Sequence, residues 1–326
     1  MSIRSVEYAC RQWGRGYRGM AGYDVIGDIH GHADALQRLL GAMGYERRDG
    51  VYRHPTRTVV FAGDFIDRGP QQREVLSVAR PMVEMGSAQA VMGNHEFNAI
   101  AWATADGKGS HLRPRTPKNN HQHSVFLEQV GAGSSAHAEA VAWFMTLPLW
   151  LDLNGLRVVH ACWHQASRKA LAGCVDAQAR LTEQGLHEVH DRGSAAYQAA
   201  EVLLKGPEAR LPEGHTFHDK DGHLRYDVRL RWWDPSAITF RSAALGMEGR
   251  EADLPMSPVP TAFHYADETP VLFGHYWMSG EPRILSPRAS CLDFSVARDG
   301  VLAAYRWSGE AELQSENLMW VQPEAP

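Results

Sequence analysis

Three short apolar segments in the first third of the chain each run into a glycine followed at once by an aspartate or asparagine, and a helical pattern follows each. Tyr23-Asp24-Val25-Ile26 ends at Gly27-Asp28, Thr58-Val59-Val60-Phe61-Ala62 at Gly63-Asp64, and Ala88 to Met92 at Gly93-Asn94. Short apolar runs bounded by glycine read as buried strands. Ala33 to Met43 carries Leu36, Leu39, Leu40 and Met43 on one face and reads as a helix stopped by Gly44. The run from about Gln71, with Val75, Val78 and Ala79, and the run from Glu96 to Ala103 read as two more helices. Alternating strands and helices predict an α/β fold with βαβ units in the N-terminal half and a largely parallel sheet. In such a sheet ligands gather outside the carboxyl ends of the strands, so these three strand ends are expected to meet in one crevice.

Further along, the pattern changes. Residues 105–124 hold Gly107, Gly109, Pro114, Pro117, His111, His121 and His123, and read as a long polar loop. Phe126 to Leu147 reads as one helix, ended by Pro148. Leu149 to Leu153 and Leu156 to Ala161 flank Asn154-Gly155, a strong hairpin signal. Residues 165–205 read as mostly helical and 206–262 as irregular. Val271 to Gly274 reads as a strand, and Cys291 to Val296 and Val301 to Trp307 as strands flanking a turn at Asp299-Gly300. We expect residues 21–326 to form a single domain with insertions at about 105–124 and 206–262. Residues 1–20 are expected to be a loosely ordered extension, with Met20 an alternative start.

Composition removes several classes of function. The chain has 326 residues, 33 Lys+Arg against 38 Asp+Glu and a net charge of -5, which argues against a basic surface built for nucleic acid. No apolar run approaches the roughly 18–20 residues that span a bilayer. Arg4, Arg11, Arg15 and Arg18 come without an apolar stretch, so no secretory signal is read there. Cys10, Cys162, Cys174 and Cys291 form no C-x-x-C pair and fit reduced thiols of a cytoplasmic protein. The 17 histidines invite a search for metal ligands.

That search returns to the strand ends, which read Gly27-Asp28-Ile29-His30-Gly31-His32, Gly63-Asp64-Phe65-Ile66-Asp67-Arg68-Gly69 and Gly93-Asn94-His95-Glu96. Two later apolar runs end at His160 and His275. Together they gather two aspartates, an asparagine and three histidines. Mixed oxygen and imidazole ligands suit Mn, Fe, Zn or Ni better than Ca or Mg. Six ligands exceed the needs of one four-coordinate ion and point to two divalent cations sharing a carboxylate.

These motifs, in this order, resemble the calcineurin-like metallophosphoesterases, and within them the phosphoprotein phosphatase branch and its bacterial diadenosine tetraphosphatase relatives. The resemblance runs over about residues 22–307 and is dense in 22–100. Arg231-Trp232-Trp233-Asp234-Pro235 adds a fainter likeness to a W-x-D-P stretch of the Ser/Thr phosphatases. It implies a β-sandwich flanked by helices in αββα layers. It also implies one metal held by Asp28, His30 and Asp64 and a second held by Asp64, Asn94, His160 and His275, with Mn2+ expected. The wider family pattern ends in G-H-x-H, whereas this chain has Gly274-His275-Tyr276-Trp277, as the phosphoprotein phosphatase branch also lacks the second histidine. His160-Ala161-Cys162 stands in place of the branch's H-G-G.

The implied reaction is in-line attack on phosphorus by a hydroxide bridging the metals. Arg68 would fork onto the phosphoryl oxygens. Asn94 would help hold the substrate. His95 would protonate the leaving oxygen as general acid, oriented by Asp67. A further arginine is expected from the later insertion, with Arg229, Arg231 and Arg241 as candidates and Arg241 carried forward. His32 and His164 are expected beside the site, not as ligands, and Trp232-Trp233 in the core. The leading function is a phosphatase acting on a phosphorylated small molecule, nucleotide or phosphoprotein, with no stable nucleic-acid or membrane partner. The alternative is hydrolysis of a dinucleoside polyphosphate. A non-catalytic metal-binding module is disfavoured because every acid, clamp and ligand position is filled.

Overall fold

In a computed structural model the chain is described over residues 22–218, 224–247, 249–260 and 263–323. The expected 1–20 extension, Met20 and Cys10 lie outside the described residues.

The first half follows the expected strand–helix rhythm. Strand β1 (Gly22–Ile26) leads to helix α1 (Ala33–Ala42), a small hairpin of β2 (Glu46–Arg48) and β3 (Val51–Arg53), then β4 (Arg57–Phe61), α2 (Gln72–Glu84), β5 (Ala88–Ala90) and α3 (Asn94–Ala103). Helices α4 (Pro117–Val130) and α5 (Ser135–Phe144) precede the hairpin of β6 (Trp150–Asp152) and β7 (Arg157–Val159). Asn154 and Gly155 make its turn with φ of 43° and 113°, the left-handed backbone such a turn demands. Next come α6 (Gln165–Ala170), α7 (Glu183–Glu188) and α8 (Ala195–Lys205). The insertion follows with β8 (Glu208–Arg210), β9 (Phe217–His218), β10 (Leu224–Arg225), β11 (Asp227–Leu230), α9 (Phe240–Ala243) and β12 (Ala244–Leu245). The chain closes with β13 (Val271–Phe273), β14 (Ala289–Cys291), β15 (Asp293–Phe294), β16 (Val301–Trp307) and β17 (Leu318–Val321).

Two mixed sheets carry the site. The larger runs β15-β16-β1-β4-β5, with β17 also on β16, and the smaller runs β14-β13-β7-β6. β1, β4 and β5 are parallel neighbours, as are β7, β13 and β14. Alternation along each strand decides what faces what. Val25 and Val60 point at Val158 and Leu272 of the second sheet, while Ile26, Val59 and Phe61 point away, at Leu36, Leu39, Leu40 and Val75 of the helices. The outer face of the second sheet, with Val159, Val271 and Phe273, is covered by Trp163, Trp232, Trp233 and Tyr265. The Trp232-Trp233 pair is core, as expected, and Trp232 Nε1 donates to the Ala161 carbonyl at 3.1 Å. Arg57 ties the strands at their far end. It donates to Asp24 Oδ1 at 2.8 Å and to the carbonyls of Tyr23 and Trp307.

Four expectations need correction. Residues 105–124 are not all loop: α4 starts at Pro117, with Thr116 Oγ1 accepting from the Asn119 amide at 3.2 Å. A proline at the first turn after a threonine cap is a helix start, but no apolar stripe follows it to show the period. The 126–147 segment is two helices, because Gly131 and Gly133 take φ of 88° and 74° between them. The 206–262 insertion is not irregular. It holds a three-stranded sheet, β12-β11-β8, and its own cluster of Val228, Leu230, Phe240, Met247 and Val259. The Cys291–Val296 run is not one strand. β14 belongs to the smaller sheet and β15 to the larger, so the chain crosses between sheets at Leu292. No helix among the described residues is long and apolar enough to cross a membrane.

Candidate metal centre

All five strand ends named from the sequence meet at one point, where Asp28, His30, Asp64, His160 and His275 are each at most 5% exposed. Parallel pairing puts the ends of β1, β4 and β5 side by side. The second sheet delivers His160 and His275 from the neighbouring strands β7 and β13. Tight backbone turns aim the side chains inward: His30, Asp64, Asp67, Arg68, His275 and Trp277 take φ of 45°, 51°, 67°, 72°, 76° and 53°. Such left-handed conformations at non-glycine residues are uncommon and cluster where a site over-determines them. Gly93 matters for another reason. A Cβ there would overlap Asp64 and Glu96, so only glycine lets β5 come this close to β4.

Hydrogen bonds from one ring nitrogen turn the other nitrogen into the site. His30 Nδ1 donates to the Ile66 carbonyl at 3.0 Å and His160 Nδ1 to the Ala62 carbonyl at 2.8 Å. Their Nε2 atoms then face Asp64 Oδ2, at 3.6 Å and 3.4 Å. Asn94 Oδ1 lies 3.0 Å from His160 Nε2 and 2.7 Å from His275 Nδ1. The His275 amide donates to both Asp28 oxygens, at 3.2 Å and 3.1 Å, and Asp28 Oδ2 lies 4.0 Å from His30 Nε2.

These residues fit divalent cations. Two groups offer ligand atoms within 4.8 Å of one another, His30 with Asp64 and His95, and Asp64 with His160 and His275. Asp64 is common to both. Ligand atoms at about 2.1 Å from one ion lie roughly 3 Å apart, close to the Asn94–His spacings above. His30 Nε2, which faces Asp64, is buried without a hydrogen-bond partner. Negative charge is also crowded here. Burial first, then Asp293 and Asp64, pushes the Asp28 carboxyl well above the usual carboxylate range. Burial works the same way on Asp64, but His160, His95 and His30 hold it well below that range. Cations between these groups would supply the missing positive charge.

Beside the ligands stands a second array. His95 Nδ1 donates to Asp67 Oδ2 at 2.6 Å, and the His95 amide donates to Asp64 Oδ1 at 2.9 Å. Burial opposes charge on His95, yet Asp64 and Asp67 hold its pKa above the ordinary value. The Arg68 guanidinium lies over the Trp277 ring, 4.5 Å from its centroid, and Arg298 lies against the same ring at 4.8 Å. Trp277 in turn lies 5.6 Å from the His30 ring. Arg241 is not brought to this cluster. It is exposed and spends its Nε on the Leu254 carbonyl at 2.9 Å, inside the insertion. Arg229 is the insertion residue whose charge reaches His275, adding to burial in lowering that imidazole. His164 caps α6 through Ser167, and His32 precedes α1 without capping it through its side chain.

Sequence reasoning passed over three residues. Glu96 is fully buried and accepts from the amides of Asp64, Phe65 and Gly93 at 2.8, 2.9 and 3.0 Å. Burial, then Asp64, pushes its carboxyl up to about 7. Asp293 is also buried, and it accepts from the Trp277 amide at 2.7 Å. His123, read from the sequence as part of the long polar loop, is buried on α4 with Nδ1 2.8 Å from Asp67 Oδ1.

Comparison with known proteins places part of this geometry in a family match. Residues 23–171 match the calcineurin-like phosphoesterase family. Over these residues the chain matches a calcineurin-like metallophosphoesterase domain. Its metallophosphoesterase segment contains every strand end above except that of His275. The chain is 45% identical over 74 residues to the asymmetrical bis(5'-nucleosyl)-tetraphosphatase PrpE of Halalkalibacterium halodurans, covering 22% of this chain and 30% of that protein. It is 30% identical over 165 residues to the symmetrical bis(5'-nucleosyl)-tetraphosphatase of Neisseria gonorrhoeae, covering 49% of this chain and 51% of that one. The chain thus spans under a third of the PrpE relative and about half of the other. Among solved structures, the cold-active protein-tyrosine phosphatase of a Shewanella species aligns over 91% of this chain and 80% of its own, with 16% identity and a TM-score of 0.46.

Proposed function

We propose that the chain is a hydrolase of phosphate esters, dependent on two divalent cations. The observation that carries the reading is Asp64, one carboxylate set between two histidine clusters at the joined ends of both sheets. Asp28, His30 and Asp64 would hold one cation, and Asp64, Asn94, His160 and His275 the other. His95 sits in the first cluster but is spent on Asp67. When bound, the cations lower the pKa of water and stabilise charge on phosphoryl oxygens. The donor set suits Mn2+, with Fe, Zn or Ni as alternatives.

The chain's own groups do the rest. Asp67 is an acceptor, so His95 presents a proton at Nδ1 and a second at Nε2 when cationic. The Nε2 proton, facing the site, goes to the leaving oxygen. Arg68 is held by Trp277 at the mouth of the site, where its fork meets phosphoryl oxygens. Among the insertion's arginines Arg229, whose charge is felt at His275, is the better candidate for substrate binding than Arg241, whose Nε is bonded to the Leu254 carbonyl. The free, buried Cys162, Cys174 and Cys291 support a reducing, cytoplasmic setting.

A dinucleoside polyphosphate is the second reading, supported by the relatives named as bis(5'-nucleosyl)-tetraphosphatases. Turnover of p-nitrophenyl phosphate, phosphopeptides and diadenosine tetraphosphate, each with Mn2+, separates the two. Cleavage of the tetraphosphate alone would favour the anhydride. No turnover of any of them, with cation bound, would overturn the hydrolase.

A further inference from the structure

Asp67 has two carboxylate oxygens, and each meets a different histidine. Oδ2 takes His95 Nδ1 at 2.6 Å and Oδ1 takes His123 Nδ1 at 2.8 Å. We propose that His123 is a positioning residue for the acid: by donating Nδ1–H to Asp67 Oδ1, it fixes the carboxylate plane so that Oδ2 keeps His95 aimed at the leaving group. This deepens the hydrolase reading and rests on it.

Burial and packing argue for the role. His123 is 5% exposed. Its ring stacks on Phe126 at 4.9 Å and tilts against Trp102 at 5.9 Å. Trp102 belongs to α3, the helix that carries His95 at its start. Its Nε1 donates to Asn120 Oδ1 of α4 at 3.0 Å. Arg115, just before α4, lies 3.7 Å from the Trp102 ring and donates to the Trp102 carbonyl. The helices bearing the two histidines are therefore locked together, and Asp67 is clamped between them. Held at one oxygen only, the carboxylate could turn about its last side-chain torsion, where preferences are broad. Asp67 is ionised, because the two histidines outweigh burial and hold its carboxyl at about 2. It can therefore only accept, and both rings must present N–H to it.

The test compares His123→Leu, which removes the donor, with His123→Asn, whose amide can restore it. With Mn2+ bound, His123→Leu is expected to lower kcat about tenfold on phenyl phosphate, a fraction of what general acid catalysis contributes. The loss should be smaller on p-nitrophenyl phosphate, whose leaving group needs little protonation. KM and metal content should be unchanged, and His123→Asn should recover most of the rate. In a His95→Ala background His123→Leu should add nothing. An equal loss in both backgrounds, or on both substrates, would overturn the proposal. A second arm does not depend on turnover. In 15N-histidine-labelled protein the His95 Nδ1–H resonance should be lost or displaced in His123→Leu and kept in His123→Asn. An unchanged resonance in His123→Leu would refute the inference even if the enzyme reading holds. An inactive wild type with the expected resonance changes would sink the enzyme reading and leave the clamp standing.

Discussion

Replacing Glu96 should cost more stability than any surface charge change and should disturb the site without replacing a ligand. Glu96 Oε2 accepts from the amides of Asp64 and Gly93, and Oε1 from that of Phe65. The three donors belong to the turns after β4 and β5, so one carboxylate ties together the strand ends that carry Asp64 and Asn94. Hydrogen bonds to a charged acceptor are worth ~1.5–3 kcal/mol each, and orphaned buried amides cost a similar amount. Part of this is offset by relief of the carboxylate's burial, which pushes its pKa up to about 7. Glu96→Ala should therefore lose about 4 kcal/mol. Glu96→Gln keeps one oxygen for Asp64 and Gly93 but turns an NH2 toward the Phe65 amide, and should lose about 2 kcal/mol. Urea unfolding of the metal-free protein, followed by tryptophan fluorescence, measures both. A Glu96→Ala variant within about 0.5 kcal/mol of wild type would mean that these bonds do not hold the strand ends together.

Asp64→Asn and His160→Ala should each abolish turnover and reduce bound metal, as measured by elemental analysis, and chelation of the wild type should be reversed by Mn2+. His95→Ala should keep its metal but lose roughly a hundredfold or more in kcat on substrates with poor leaving groups; full activity on phenyl phosphate would refute its role as acid. Burial holds the His190 imidazole below its ordinary pKa, with Lys205 and His187 adding to the effect and the Leu186 carbonyl and Glu201 opposing it. The neutral ring then contributes stability above about pH 6.5 that is lost as pH falls below it, because the unfolded chain takes the proton first. His190→Phe keeps the ring against Phe97 and should flatten the dependence of Tm on pH between about 7 and 5.

What could be read from the sequence was whatever short-range pattern encodes. β1, β4 and β5 announce themselves because an apolar run, a glycine and a carboxylate or amide follow in order, and parallel pairing then brings their ends together without further information. The same logic reaches His160 and His275. His123 escapes it because PKNNHQHSVFLEQV has few apolar residues to mark a face; the helix is seen only from its Thr116-Pro117 start and its contacts with α3. The insertion escapes because its strands are two to four residues long, below the length at which alternation can be counted. Asp293 is hidden by the crossing at Leu292, which breaks one apparent strand into two in different sheets. Glu96 stands in plain view in Gly-Asn-His-Glu. Its partners are backbone amides, though, and nothing in a sequence says which amides a carboxylate will meet.

The departure at Gly274-His275-Tyr276-Trp277 shows how one position can change its task. A second histidine there would ligate a cation; an indole offers only an N–H donor and a π face. In this protein the Trp277 ring lies beside His30, with Arg68 and Arg298 against it, and Asp293 holds its backbone at φ 53°. Each guanidinium gains ~0.5–1 kcal/mol or more from the ring, enough to narrow the orientations of an otherwise flexible arginine. On the hydrolase reading, the first cation is left with Asp28, His30 and Asp64 and so with more positions for water or phosphate oxygen. On the same reading the missing histidine is exchanged for a platform that would present positive charge to the substrate from outside the metal pair. Phosphate would then be gripped by cations on one side and arginine on the other, and the tightness of the first metal would depend more on bound phosphate than on protein ligands alone.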